Sequence, residues 1–177
     1  RYYRSGEALH DSATEKKYLG DRQLTWLKNG LLSSRATFKF VTIGNQVLNP
    51  LNDFESYRSY REEYDELMHF IKEYRIPGII FLTGDRHISD LIKVQPEGMY
   101  SLFDITSSPL TSRSFARFAE TKEFNNPYRV VPAAVTDQNF IKIEVSGARN
   151  NRMATVTAIT VDNKRVWTYE IKEMELK

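Results

Sequence analysis

An amphipathic helix set between two apolar strands constrains the fold of this chain more than any other feature. Residues 56–74 carry Tyr60, Tyr64, Leu67, Met68, Ile71 and Tyr74 in one stripe at helical spacing, while Glu62, Glu63, Asp65, Glu66, Lys72 and Glu73 lie mostly off it. Pro77-Gly78 stops that helix. Upstream, Phe38-Lys39-Phe40-Val41-Thr42-Ile43 alternates and is rich in β formers, which predicts a strand ending at Gly44-Asn45-Gln46. Downstream, Gly78-Ile79-Ile80-Phe81-Leu82-Thr83 predicts a second, buried strand. Two apolar strands joined through a helix imply a right-handed crossover and parallel pairing. A further helix is predicted over 19–33, where Leu24, Leu27 and Leu31 recur at helical spacing with Trp26 beside them and Asp21 near the positive N-terminal end.

The second half has a different character. Residues 99–105, 139–145, 153–161 and 166–171 read as strands, with Asp162-Asn163-Lys164 as the hairpin turn between the last two. Their alternation suggests antiparallel strands with one wet face. Between them, residues 111–134 show only weak periodicity (Arg113, Phe115, Arg117, Phe118, then Asn125-Asn126-Pro127) and read as a functional loop or a short helix plus loop. The expectation is a layered α/β architecture in one domain, and 177 residues suffice for it. A net charge of +2 gives no ground for expecting a nucleic acid or an acidic membrane surface as partner. No apolar stretch is long enough to span a bilayer, and no signal peptide is present. The first residue is Arg1, so the chain is expected to be cut from something longer, and the missing signal says little about the parent. The absence of cysteine excludes disulfides and thiolate ligands within these residues and fits either redox compartment.

The strongest chemical signal is Gly84-Asp85-Arg86-His87 at the end of the second apolar strand. The glycine is expected to let the backbone turn where the strand stops. Asp85 and His87 are two apart, so an extended backbone would point them the same way. One brings a hard oxygen and the other a borderline nitrogen, a mixture suited to metals of catalytic type. Four residues alone are a weak signal, because a lone Asp is often a cap and a lone His often an interior hydrogen-bonded residue. Position strengthens it, since layered α/β folds gather ligands at the carboxyl ends of their strands. Gly44-Asn45-Gln46 ends the neighbouring strand, so the two loops are expected to face one crevice. There Asn45 reads as turn chemistry and Gln46 as a neutral ligand or hydrogen-bond donor. Arg1 and Arg4 bracket two tyrosines and either bind a phosphate bidentately or are simply solvated. Lys39 and Lys93 read as solvated, and His10 and His69 as structural or solvated. No Gly-x-Ser-x-Gly elbow and no phosphate-cradling glycine loop is present.

Several segments, taken in order, resemble the C-terminal half of PhoD-like phosphatases (alkaline phosphatase D), a branch of the calcineurin-like metallophosphoesterase superfamily. They are Arg1-Tyr2-Tyr3-Arg4, Leu19-Gly20-x-x-Gln23-x-x-Trp26-Leu27, Ser33-Ser34-x-Ala36, Asn45-Gln46-Val47, Asp53-Phe54-x-x-Tyr57 with Tyr60-Arg61-Glu62-Glu63, Leu82-Thr83-Gly84-Asp85-Arg86-His87 and Ser107-Ser108-Pro109-Leu110-Thr111. The resemblance extends to the final strands with Val166-Trp167. It implies an α/β fold, a layered β-sandwich flanked by helices, with residues 1–177 as the C-terminal portion of a single domain whose N-terminal half is missing.

The activity implied is hydrolysis of phosphate mono- and diesters by water activated at a multinuclear metal centre, with Fe and Ca the metals the family favours and Zn or Mn as alternatives. By resemblance Asp85 and His87 are metal ligands, and Arg1, Arg4 and Gln46 lie near the phosphate. The remaining ligands would come from the preceding half, so the segment alone is expected to be catalytically weak or dead. The implied partners are a phosphate ester and the upstream half of the same domain, without nucleic acid or a transmembrane segment, in an exported parent protein. Arg86 stands where many relatives have a small or aliphatic residue, and either touches substrate or pairs with a carboxylate. The rivals are a non-catalytic α/β binding module in which Gly-Asp-x-His is a structural turn, and a metal-dependent nuclease or phospholipase-D-like diesterase.

Overall fold

The computed structural model describes residues 16–52, 54 and 56–177. Helix α1 (Gly20–Ser33), strand β1 (Lys39–Thr42), helix α2 (Arg61–Glu73) and strand β2 (Ile79–Thr83) follow in the predicted order. Strands β1 and β2 pair in parallel, with Val41 opposite Phe81, as two apolar strands joined through a helix should. Strands β3 (Asp90–Val94) and β4 (Leu102–Thr106) complete this sheet in the order β1-β2-β4-β3. Strands β5 (Asn139–Ser146), β6 (Met153–Thr160) and β7 (Arg165–Lys172) form a second, wholly antiparallel sheet.

Two expectations are corrected here. The strand predicted at 99–105 does not join the antiparallel set: β4 pairs in parallel with β2 and antiparallel with β3. Every residue of β4 is buried, which is what a strand covered on both faces requires. Strand β3 was not expected. Its apolar run is only Leu91-Ile92, flanked by Asp90 and Lys93, too short for a period-2 signal to stand out.

Alternation along β2 and β4 sorts the side chains into layers. Ile79 and Phe81 of β2 and Leu102 of β4 join Leu24, Leu31, Leu67 and Ile71 in a core beneath the helices. Ile80, Phe103 and Ile105 face the other way, against Ala154, Val156 and Ala158 of β6 and Trp167 and Ile171 of β7. The molecule is thus helices on a mixed four-stranded sheet on a three-stranded sheet, which is the layered α/β sandwich anticipated.

The predicted helix over 56–74 is split. Residues Tyr57–Ser59 form a 3₁₀ turn, entered through Ser56, whose hydroxyl accepts the Arg58 N–H; Tyr60, at φ −102° and ψ 63°, then breaks the path before α2 begins. Because α2 ends at Glu73, Tyr74 falls outside the apolar stripe, 53% exposed. Glu63 does the reverse: expected off the stripe, it is buried, its two carboxylate oxygens accepting the Leu19 and Gly20 N–H groups at 2.8 and 2.9 Å. Helix α1 has no side-chain cap of its own, so a carboxylate from α2 satisfies donors that a helix start leaves open and favours its positive end. Lys39, read as solvated, is also buried; its ammonium donates to the Ala36 and Pro77 carbonyls, and burial lowers its pKa.

Candidate functional site

The carboxyl ends of the three parallel strands are stitched together by backbone. Ile43 donates to the Leu82 carbonyl at 2.9 Å, Gly84 to Gly44 at 3.1 Å, and Ser107 to Thr83 at 2.9 Å. Beside them lies a crevice of about 680 Å³, lined among others by Tyr18, Gln23, Asn45, Asp85 and Ser107. The loops after β1 and β2 therefore do face one crevice, where α/β sheets place their ligands. Asn45 is buried there and accepts the Tyr18 hydroxyl at 2.8 Å.

Of Gly84-Asp85-Arg86-His87, Gly84 and Asp85 line this crevice and His87 does not, and the tetrapeptide follows a different backbone path from the one predicted. Strand β2 ends at Thr83, and the chain does not stay extended. Asp85 and His87 both take left-handed conformations, φ 63° and 55°, whereas Gly84 does not. The turn is made by the Asp and the His, two residue types that visit this region more readily than most. Asp85 is exposed and His87 half-buried. His87 is held at three points. Its N–H donates to Ser108 Oγ at 3.1 Å, its carbonyl accepts the Phe115 N–H at 3.0 Å, and its ring Nδ1 bonds the Arg113 carbonyl. A carbonyl only accepts, so Nδ1 carries the hydrogen and, in the neutral ring, Nε2 keeps the lone pair.

Arg86, between them, turns inward. It is 7% exposed, and its guanidinium donates to Asn52 Oδ1 and to Glu123 Oε1. It pairs with a carboxylate, one of the two alternatives the sequence left open.

Gln46, expected at the crevice, lies inside the protein instead, at 0% exposure. Its amide nitrogen donates to Thr106 Oγ1 at 2.8 Å, and its oxygen accepts from Asn49 and Asn52 at 3.2 and 3.1 Å. Both ends of the side chain are therefore engaged by the protein. Arg1, Arg4 and His10 lie outside the described residues. His69 is on the surface, 3.5 Å from Glu73, as the sequence suggested.

Around these residues runs a buried polar network that sequence reasoning missed. Asp104 on β4 accepts the Val47 and Leu48 N–H groups through one oxygen, at 2.7 and 2.8 Å, and the Thr83 hydroxyl through the other, at 2.6 Å. Burial pushes its carboxyl up to about 6, against the pull of those three donors. Asp90 makes a two-pronged pair with Arg129 at 2.8 and 2.9 Å, and Glu123 pairs with Arg86. Burial raises the pKa of both carboxyls, with the arginines opposing it. Asp104 carried a signal that was readable in principle: an acid inside an otherwise apolar strand, Leu102-Phe103-Asp104-Ile105. Glu123, Asn126 and Arg129 sit in the aperiodic segment after β4, where no pattern marks a residue as buried.

Residues 1–162 match the family described as PhoD-like phosphatase. The chain belongs to the PhoD-like phosphatase family. A solved structure of PhoD superposes with a TM-score of 0.70 at 17% sequence identity, covering 100% of this chain and 40% of that one. At that identity the likeness is one of fold. The chain spans 40% of the length of the solved relative. No curated protein matches the chain.

PhoD-like membership supports a phosphoesterase classification at the level of the family. Asp85 and His87 are of donor types that a metal site uses. An exposed carboxylate and an imidazole whose tautomer is fixed by the Arg113 carbonyl are suitable donors, and the carbonyl is the kind of outer partner that orients a ligating histidine. Among the described residues, however, no group of three or more His, Cys, Asp or Glu comes together that could hold a metal ion. No helix among them is long and apolar enough to cross a membrane.

Proposed function

We propose that the chain is the C-terminal half of a PhoD-like metallophosphoesterase domain, in which Asp85 and His87 form one wall of a metal centre that hydrolyses phosphate esters. The observation that carries this reading is the Nδ1 hydrogen bond from His87 to the Arg113 carbonyl, because it leaves Nε2 as the ligating nitrogen. Bound metal ions would supply Lewis acidity toward a phosphate oxygen and activation of the attacking water. The chain's own residues then have distinct tasks. Asp85 offers its carboxylate at the lip of the crevice. His87 offers Nε2 in a fixed orientation. The Gly44–Asn45 and Gly84–Asp85 backbones shape the floor. Arg1 and Arg4 stabilise charge on the phosphate. The remaining ligands come from sequence upstream of Arg1, in an exported parent protein.

One observation favours the rival reading, a binding module with a structural turn. The Arg86–Glu123 pair and the left-handed residues would by themselves account for the tetrapeptide. Metal content separates the two. Asp85→Ala and His87→Ala should each abolish metal uptake and phosphatase activity in a protein extended upstream, whereas a structural turn would lose only stability. The chain alone should hydrolyse a generic phosphate monoester negligibly with Fe, Ca, Zn or Mn added; robust turnover by it would refute the division of the site.

A further inference from the structure

We infer that the buried Arg86–Glu123 pair is a positioning clamp that sets the orientation in which Asp85 and His87 are presented. The inference rests on the reading of those two residues as metal ligands and assigns Arg86 a task that neither the motif nor the family match supplies.

The argument starts from backbone energetics. A left-handed conformation is sparsely populated by residues other than glycine, and here Asp85 and His87 both adopt it with Arg86 between them. Such a path persists where the surroundings over-determine it. Arg86 supplies that determination. With its side chain driven inward to 7% exposure, its neighbours on either side are turned toward the surface. One terminal nitrogen is fixed on Asn52 and the other on Glu123. Glu123 is itself fixed, accepting Asn49 Nδ2 at 2.7 Å through its second oxygen.

The same strip of chain grips the segment a second time. Three residues after His87, Asp90 forms its two-pronged pair with Arg129, and Arg129 also donates to the Glu123 and Phe124 carbonyls at 2.9 and 2.7 Å. Residues 86–90 are thus pinned at both ends to residues 123–129. The carbonyl that orients the His87 ring, from Arg113, belongs to the same long segment. A substrate-contacting role for Arg86 would require it to leave two bonds and a buried carboxylate. A purely stabilising role is poorly served by a buried ion pair, since apolar residues of similar volume often do as well or better. Fixed geometry is what such a pair supplies here.

Arg86→Met removes both contacts but strands the Glu123 carboxylate. The double variant Arg86→Met with Glu123→Gln removes that stranded charge and keeps an acceptor for Asn49. Three quantities are measured, all in the protein extended upstream: thermal stability, the ¹⁵N shifts of the His87 ring, and Mn²⁺ affinity. The double variant should melt closer to wild type than the single one, yet bind Mn²⁺ about 10–100-fold more weakly, the effect typical of losing a ligand's supporting partner. Its His87 ring should also lose the pattern of a hydrogen fixed on Nδ1. Recovery of Mn²⁺ affinity together with stability would show the pair to be merely structural and overturn the inference. Asp85→Ala and His87→Ala serve as controls. If they leave Mn²⁺ binding intact, the ligand reading fails and the clamp with it; if they abolish it while both Arg86 variants bind as wild type does, only the clamp fails.

Discussion

The two loops that flank the crevice use polar residues in opposite ways. After β1, the chain turns its amide side chains inward: Asn45, Gln46, Asn49 and Asn52 are all buried, Asn45 accepting the Tyr18 hydroxyl and the other three bonded to one another, to Thr106, to Glu123 or to Asn126. After β2, polarity alternates with position: Asp85 is exposed, Arg86 buried, His87 half-buried. The first loop is a scaffold made of amides, which form hydrogen bonds without the cost of burying charge. The second leaves Asp85 facing outward on a backbone held from behind by a buried ion pair. Polar residues at a strand end therefore do not identify a site by type alone; what separates these loops is which side chains are left facing outward.

The largest expected effect comes from releasing the presenting loop at its far end. Arg129→Met leaves Asp90 buried without its partner and should cost about 3–5 kcal/mol, the range for breaking one side of a buried pair, read from urea unfolding. A loss no larger than that of a surface substitution would mean the loop does not depend on residues 123–129.

Next is the anchor of the scaffold loop. Asp104 holds the Val47 and Leu48 N–H groups, and its carboxyl is pushed by burial from 3.8 to about 6. The folded state therefore holds the proton more tightly than the unfolded chain does. Its contribution to stability is fully present below pH 3.8 and is lost as pH rises through about 6. The loss amounts to about 3 kcal/mol at most, at 1.36 kcal/mol per unit. Asp104→Asn should flatten that part of the stability–pH curve. Asp90 and Glu123, raised in the same direction, keep a residual slope in both proteins. Parallel curves for variant and wild type between pH 4 and 7 would show that Asp104 does not titrate there.

How far the sequence carried depended on whether a signal was local. The crossover of β1, α2 and β2 was readable because its period and its stop at Pro77-Gly78 lie within one window. The hairpin at 162–164 was readable for the same reason, with Asn163 taking the left-handed conformation such a turn needs at φ 58°. The edge strand β3 was not, being short and charged at Asp90 and Lys93. Asp85 and His87 were placed correctly at the strand end, but by an extended path they do not follow. The Arg86–Glu123 and Asp90–Arg129 pairs join residues 37 and 39 positions apart, and no periodicity encodes which arginine meets which acid. Gln46 was misplaced because a strand-end amide looks alike from sequence whether it faces a crevice or a core.

The smallest effects bear most directly on the contrast between the loops. Gln46→Leu leaves the Asn52 amide and Thr106 short of a partner, and should cost about 1–3 kcal/mol, the desolvation penalty of stranded polar groups. In a protein extended upstream it should leave KM for a phosphate ester unchanged. A raised KM at wild-type stability would return Gln46 to the crevice and erase the distinction drawn here. Asp85→Asn should do the converse. Asparagine tolerates the left-handed conformation and keeps a hydrogen-bonding side chain, and the site is exposed, so the expected stability change is smaller than that of Gln46→Leu. Metal binding should nevertheless fall sharply, because a neutral amide replaces the only charged oxygen donor this loop exposes. Set side by side in one unfolding and metal-binding series, the two variants should separate cleanly: one loop loses stability and keeps function, the other loses function and keeps stability.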